Sequence, residues 1–271
     1  MKNRKILSGP YLFWAVSFII IPLLIIVYYG FTAKEGGFTF ANIAQITTPE
    51  NLKALGLALL LSLVSTIICL IMAYPLAMIL SGMNVNQTSF VVLIFILPMW
   101  MNFLLRTLAW QNLLEKNGVI NAVLSFFHLP ALNIINTPSA IILGMVYNFL
   151  PFMVLPIYNV LIKIDKDVIS AAKDLGANGL QTFVKIILPL SKPGIISGIT
   201  MVFVPALTTF VISDLLGGSK ILLIGNVIEQ EFKQSSNWHT GSGLSLVLML
   251  FIIISMALIA KYDKDGEGSI F

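Results

Sequence analysis

Six stretches of the chain are almost wholly apolar: roughly residues 11–31, 54–81, 88–110, 138–162, 193–216 and 243–260. Each runs for about 20 residues, the length an α-helix needs to cross a bilayer. Polar residues gather between these stretches and do not alternate within them. Strands of a membrane barrel would alternate over about ten residues, so the pattern predicts an all-α membrane protein with six transmembrane helices. Residues 1–271 read as a single transmembrane domain. The first stretch follows Lys2, Arg4 and Lys5, as a signal peptide would. Its apolar run is too long for a typical signal core and no A-x-A-like site follows, which predicts a retained helix.

The connectors differ in kind. Residues 82–87 make a short uncharged turn, whereas 163–192 form a long basic loop. Residues 112–127 and 221–232 carry apolar side chains at helical spacing but are too short to span, which predicts interfacial or re-entrant helices. Prolines 22, 75, 98, 151, 156 and 205 fall inside spans, where each removes a backbone donor and favours a bend. Gly194 and Gly198 form a G-x-x-x-G pair that permits close helix contact.

Composition removes whole classes of function. Charged residues are 10% of the chain and the mean hydropathy is +0.94, against about 25% charged residues in soluble domains. A soluble enzyme, a nucleic-acid binder and a disordered regulator are excluded. The net charge of +4 follows from loop lysines. With six spans, ten basic residues, in the termini and the 163–192 loop, share one side; five lie opposite, and Arg106 ends the third span. The richer side is the cytoplasmic one, which puts both termini in the cytoplasm. Cys69 sits alone in an apolar run, and His128 and His239 have no ligand partners nearby, so they read as ordinary loop residues and no metal site is expected.

The long loop reads as two short helices. Asp167 is a plausible N-cap, with Val168, Ala172 and Leu175 on one face. Gly176 stands where a left-handed residue would end the helix, Asn178-Gly179 signals a turn, and Leu180, Phe183, Val184 and Ile187 mark a second apolar face. Within it, Ala171-Ala172-Lys173-Asp174-Leu175-Gly176 and, nine residues on, Ile186-Ile187-Leu188-Pro189 resemble the E-A-A-x3-G-x9-I-x-L-P loop of permease subunits in bacterial ABC importers, the binding-protein-dependent transport inner-membrane components. Ser170 stands where that loop has its leading Glu. The resemblance implies a type I (MetI-like) permease fold in which Ala171, Ala172, Asp174, Gly176, Ile186, Leu188 and Pro189 belong to a coupling helix unit seated on a cytoplasmic ATPase. It also implies the partners: an ABC ATPase dimer carrying ATP and Mg, a second permease subunit, an extracytoplasmic binding protein and the lipid bilayer.

Further segments resemble the spermidine/putrescine branch of that family: Leu97-Pro98-Met99-Trp100, Arg106-Thr107-Leu108-Ala109-Trp110, Asn117-Gly118-Val119-Ile120-Asn121, Phe203-Val204-Pro205-Ala206, and Ser213-Asp214-Leu215-Leu216-Gly217-Gly218 followed by Leu222-Leu223-Ile224-Gly225-Asn226-Val227-Ile228. Ionisable groups inside spans are functional candidates, and Asp214 is the best acid for a cationic cargo. Aromatic faces at Trp100, Tyr147 and Trp110 attract ammonium groups, and Asn102 and Asn148 offer uncharged oxygens. Against this stands a packing role for the aromatics and a pairing of Asp214 with Arg106. Arg106 is expected to snorkel or to neutralise Asp214; with an anionic cargo it would become the leading contact.

The chain carries no G-x-x-x-x-G-K-[ST] loop, so ATP hydrolysis is expected on a separate subunit and this chain is not expected to be an enzyme. An ion-coupled secondary transporter would show broken-helix repeats, and a membrane enzyme would show clustered His, Cys or carboxylates. Neither pattern stands out.

Overall fold

A computed structural model describes residues 9–83, 97, 99–218 and 220–267, with side chains from 10 to 259. Among these residues the regular secondary structure is helical, with one isolated bridge between Thr32 and Phe38. In chain order the helices are α1 (Pro10–Phe31), α2 (Ala41–Ala44), α3 (Pro49–Gly82), α4 (Phe103–Leu114), α5 (Val119–Phe126), α6 (Pro138–Leu161), α7 (Lys166–Asp174), α8 (Gly179–Leu190), α9 (Lys192–Thr208), α10 (Val211–Gly217), α11 (Ile224–Lys233) and α12 (Trp238–Glu267). Four of them, α1, α3, α6 and α12, are each long and apolar enough to cross a membrane, and the bent pair α8–α9 passes the same length and apolarity test taken together. Residues 88–96 and 98 of the expected third span lie outside the described residues; α4 begins within its last turns and runs past them.

Two of the expected outlines are corrected. Residues 193–216 are not one helix. The chain leaves helical geometry at Thr209 (φ −67°, ψ 138°) and resumes as α10. Pro205, one turn earlier, has no N–H for the carbonyl of Met201, which weakens the ladder just before the break. The piece expected at 112–127 is likewise divided, with α4 running to Leu114 and α5 starting at Val119. The buried Asn121 side chain donates to the carbonyls of Glu115 and Leu132 and accepts from Leu132 N–H, closing the loop that follows.

Prolines also set local pitch. π-helical turns occupy Val16–Ile20 in α1 and Phe183–Ile187 in α8. Each ends two residues before a proline, Pro22 or Pro189. In both, the next N–H reaches five residues back, Ile21 to Val16 and Leu188 to Phe183. The wider turn relieves the crowding between a proline ring and the carbonyl four residues earlier.

The chain divides into two compact units, residues 1–55 with 226–254 and residues 56–225 with 255–271. In the first, the last carbonyls of α1 lack intrahelical donors, and side chains supply them. Asn42 Nδ2 donates to the carbonyls of Tyr29 (3.3 Å), Gly30 (3.2 Å) and Thr32 (2.9 Å). His239 Nδ1, which must carry the proton, donates to Thr32 O at 2.6 Å and Tyr29 O at 3.2 Å. The histidine is therefore not an ordinary loop residue: it stands in the first turn of α12 and caps another helix.

In the second unit α6 is the central element, 61% buried over its most apolar window, whereas α1 is 0% buried over its own. Ile141, Met145, Met153 and Ile157 of α6 are fully enclosed. Ser65 and Cys69 of α3 touch it, through Met145 Sδ and the Val146 carbonyl. Lipid is as apolar as these side chains, so the stabilisation comes from close packing more than from escape from water. The G-x-x-x-G pair supplies it where expected. A Cβ on Gly194 would lie 2.9 Å from Pro156 O and 3.1 Å from Ile157 Cα; one on Gly198 would lie 2.6 Å from Met153 Sδ. Gly194→Val therefore wedges α9 off a backbone that cannot yield, at a cost of about 2 kcal/mol. Gly198→Ala meets a flexible thioether and costs less. Thermal unfolding of the detergent-solubilised protein should rank the two in that order.

Candidate functional site

Two regions carry the chemistry. The first is the loop 163–192. α7 starts at Asp165, whose side chain accepts from Asp167 N–H at 2.9 Å; Asp167, expected as the cap, sits in the first turn instead. Both acids suit a helix start, and the earlier one takes the cap while the later one faces the positive end of the helix dipole. The helix ends at Gly176, whose φ is +85°. Gly176 N–H bonds Lys173 O at 2.9 Å and Ala177 N–H bonds Ala172 O at 3.0 Å, the paired pattern of a Schellman close. Asn178 then caps α8 in a reciprocal box with Gln181, at 2.8 and 3.0 Å.

The loop's two faces are not uniformly buried. Ala172 packs inside the chain, while Leu175 is 90% exposed, Leu180 72%, and Val168 and Val184 nearly half. Ala171, Asp174, Gly176 and Pro189 are exposed, and Ile186 and Leu188 are half-buried. The small side chain of Ala172 thus serves packing within the chain, and the larger apolar groups point away from it. α8 meets α9 at Ser191 with a 63° bend.

The second region lies where α4, α6 and α10 pack together. Arg106 of α4 does not snorkel. It is buried, and its Nε donates to Asn148 Oδ1 at 2.7 Å. Asn148 Nδ2 donates in turn to the Gly144 carbonyl at 2.8 Å, so both ends of this buried amide are engaged. The guanidinium lies 6.0 Å from the centre of Phe103 and 5.9 Å from that of Tyr147, and Trp110 meets Tyr147 edge-on at 5.1 Å. A cation held away from water requires such polar and π contacts. Asp214 is half-buried in α10. Asn102 caps α4, its oxygen accepting from Leu104 and Leu105 N–H at 2.9 and 3.2 Å. Trp100, just before, is 74% exposed. Of the five pathway candidates, the structure brings Tyr147 and Asn148 together around Arg106, with Asp214 on the adjoining helix.

Beside this region the helix break at Thr209 is covered by the chain entering α11; a Cβ on Gly225 would lie 2.8 Å from Thr208 O and 3.0 Å from Thr209 O. The sequence pattern missed the buried contact of Tyr74 with Ser191, 2.7 Å between hydroxyl oxygens 117 residues apart. A tyrosine next to Pro75 in an apolar run carries no signal that a serine far along the chain will meet it.

Several helices long and apolar enough to span a bilayer define a polytopic α-helical membrane protein. The chain belongs to the binding-protein-dependent transport system inner membrane component family, whose model matches residues 60–264. It is 37% identical to the spermidine/putrescine transport system permease protein PotB of Haemophilus influenzae, over 97% of this chain and 95% of that one. To PotB of Escherichia coli K12 it is 37% identical over 88% of this chain and 89% of the relative. To the inner membrane ABC transporter permease protein YdcU of the same bacterium it is 29% identical over 94% and 88%. The fold is similar to that of a chain in the crystal structure of a bacterial ABC transporter that imports the acidic polysaccharide alginate, with a TM-score of 0.80, 16% identity, and coverage of 99% of this chain and 96% of that one. The expected family and permease fold are therefore borne out.

Asn148→Leu keeps the volume and removes the acceptor of a buried charge. It should destabilise the protein by about 2 kcal/mol, read as a lower melting temperature, while Asn148→Asp should be better tolerated beside Arg106.

Proposed function

We propose that this chain is the permease subunit of an ATP-driven importer for polyamines of the spermidine and putrescine kind, forming half of an alternating-access pathway. The observation that supports the cargo is the 37% identity, across 97% of the chain, to a permease named for spermidine/putrescine transport. Assembly would require an ABC ATPase dimer carrying ATP and Mg, a second permease subunit (PotC-like) and an extracytoplasmic polyamine-binding protein (PotD-like). Both termini and the loop 163–192 face the cytoplasm, on the basic-residue bias of ten against five.

In this reading α7 is the coupling helix. Exposed Leu175, Leu180, Val168 and Val184 offer the apolar surface that a cleft on the ATPase would cover. Ala171 and Asp174 flank it, the left-handed Gly176 fixes its end, and Ile186, Leu188 and Pro189 carry its motion into α9. ATP binding draws the two ATPases together, the coupling helices follow, and the permeases open outward to receive cargo. Hydrolysis returns the path to the inward side.

Along that path Trp100 and Tyr147 present aromatic faces to ammonium groups and Asp214 contributes negative charge. Asn102 and Asn148 act indirectly, the first by starting α4 and the second by holding Arg106. Asn148 and the rings of Phe103 and Tyr147 hold the Arg106 guanidinium in place beside the path. Arg106 also favours a second reading, an anionic cargo, which uptake of labelled spermidine by the assembled transporter would overturn.

Gly176→Trp should abolish ATP-coupled spermidine uptake while membrane insertion persists; normal uptake would count against the coupling role. Topology is checked separately. In a Cys69→Ser background, a cysteine replacing Lys173 should react with an impermeant maleimide only from the cytoplasmic side, and one replacing Lys34 only from outside.

A further inference from the structure

Ser191 stands at the vertex of the 63° bend between α8 and α9. It is fully buried, and so, nearly, is Tyr74 at 8% exposure. The Ser191 hydroxyl donates to Leu188 O at 3.0 Å, which leaves Tyr74 as the donor in the 2.7 Å contact between the two hydroxyls. The Tyr74 ring also meets Phe183 edge-on, with 5.6 Å between centres. One side chain of α3 therefore touches the α8 arm at Phe183 and the vertex at Ser191. The backbone stays bonded through the bend, Ser191 N–H to Ile187 O at 2.9 Å and Ile195 N–H to Ser191 O at 3.1 Å. Pro193 removes the donor that would otherwise serve Pro189 O, and a bend at this point follows. Beyond the vertex, Gly194 lies against the backbone of α6 at Pro156 and Ile157. The bend between α8 and α9 thus has a side-chain contact to α3 on one side and a close backbone contact to α6 on the other.

We infer that the Tyr74–Ser191 hydrogen bond is the pivot that converts displacement of the coupling unit into rotation of α9. Tyr74 and Ser191 are positioning residues for transport and touch no cargo. This rests on the coupling role proposed for the loop. Without the bond α8 can move while α9 lags, so ATP is hydrolysed without matched transport. Packing alone would not need the hydroxyls: phenylalanine and alanine fill nearly the same space, and buried polar groups are retained at a desolvation cost.

The experiment uses the full transporter, with its ATPase, second permease and binding protein, reconstituted in liposomes. Labelled spermidine uptake and ATP hydrolysis are measured on the same preparation. Tyr74→Phe and Ser191→Ala should each lower spermidine carried per ATP about five-fold, the scale of one buried hydrogen bond, with hydrolysis kept. The double variant should be no worse than either single, since both remove one interaction. Ser191→Thr, which keeps a hydroxyl, should restore most of the ratio. An unchanged ratio in Tyr74→Phe overturns the pivot. So does a double variant that loses the product of the singles, or a parallel fall of uptake and hydrolysis, which marks a folding role. Gly176→Trp in the same assembly separates the two readings: unaltered uptake there fails the coupling role itself, and the pivot with it, whereas lost uptake there with an unaltered Tyr74→Phe fails the pivot alone.

Discussion

A bilayer core offers no water to an unpaired backbone group, so every N–H and C=O within it must find a partner in the protein. That constraint accounts for the predominance of helix among the described residues and for what happens where helices are interrupted. The end of α1 is satisfied by Asn42 and His239. The break at Thr209 is buried and covered by the chain at Gly225. The bend at Ser191 keeps both backbone bonds of Ser191, loses the donor that Pro193 lacks, and adds a side-chain bond to Leu188 O. The π turns before Pro22 and Pro189 shift each ladder by one residue and preserve it. Irregularity survives where another part of the chain compensates for it.

The same logic governs the buried charge. Arg106 in an apolar setting costs free energy unless its protons are used. Asn148 takes one, and Phe103 and Tyr147 lie within reach of the guanidinium's field. The cluster draws on α4 and α6, so their relative placement and the satisfaction of the charge depend on one another. A transport pathway needs helices that move without exposing such groups to lipid, and the short bond between Arg106 and Asn148 keeps the charge between two helices. The loop 163–192 is built on the opposite plan. Its caps are local and complete, from Asp165 through Gly176 to Asn178 and Gln181, while its larger apolar side chains stay uncovered. That combination gives a locally capped element with apolar side chains left uncovered.

The parts legible along the chain were those set by short-range rules. Long apolar runs anticipated α1, α3, α6 and α12, whose apolar stretches fall within a few residues of their expected places. Gly176 was recognisable as a left-handed helix end because only glycine takes that conformation at no steric cost, and the Gly194–Gly198 spacing allowed a close helix contact whose partner, α6, only the structure names. The near misses have local causes too. Asp165 and Asp167 are equally good caps on sequence, and which one wins depends on where the preceding span releases the chain. The break at Thr209 hid inside a continuous apolar run, because apolarity reports burial and says nothing of helix continuity.

The sequence by itself determined that this chain is a helical membrane protein, roughly where its long apolar helices fall, and that its long basic loop folds as two short helices parted at Gly176. Hydrophobic length, charge bias and capping chemistry act over a few residues and need no partner from elsewhere. Tertiary structure alone decided that Arg106 is buried on Asn148, that His239 caps α1, and that Tyr74 reaches Ser191 across 117 residues. Such contacts between distant side chains depend on which faces of packed helices meet, and apolar positions around a lipid-embedded helix are too alike for their order along the chain to specify that.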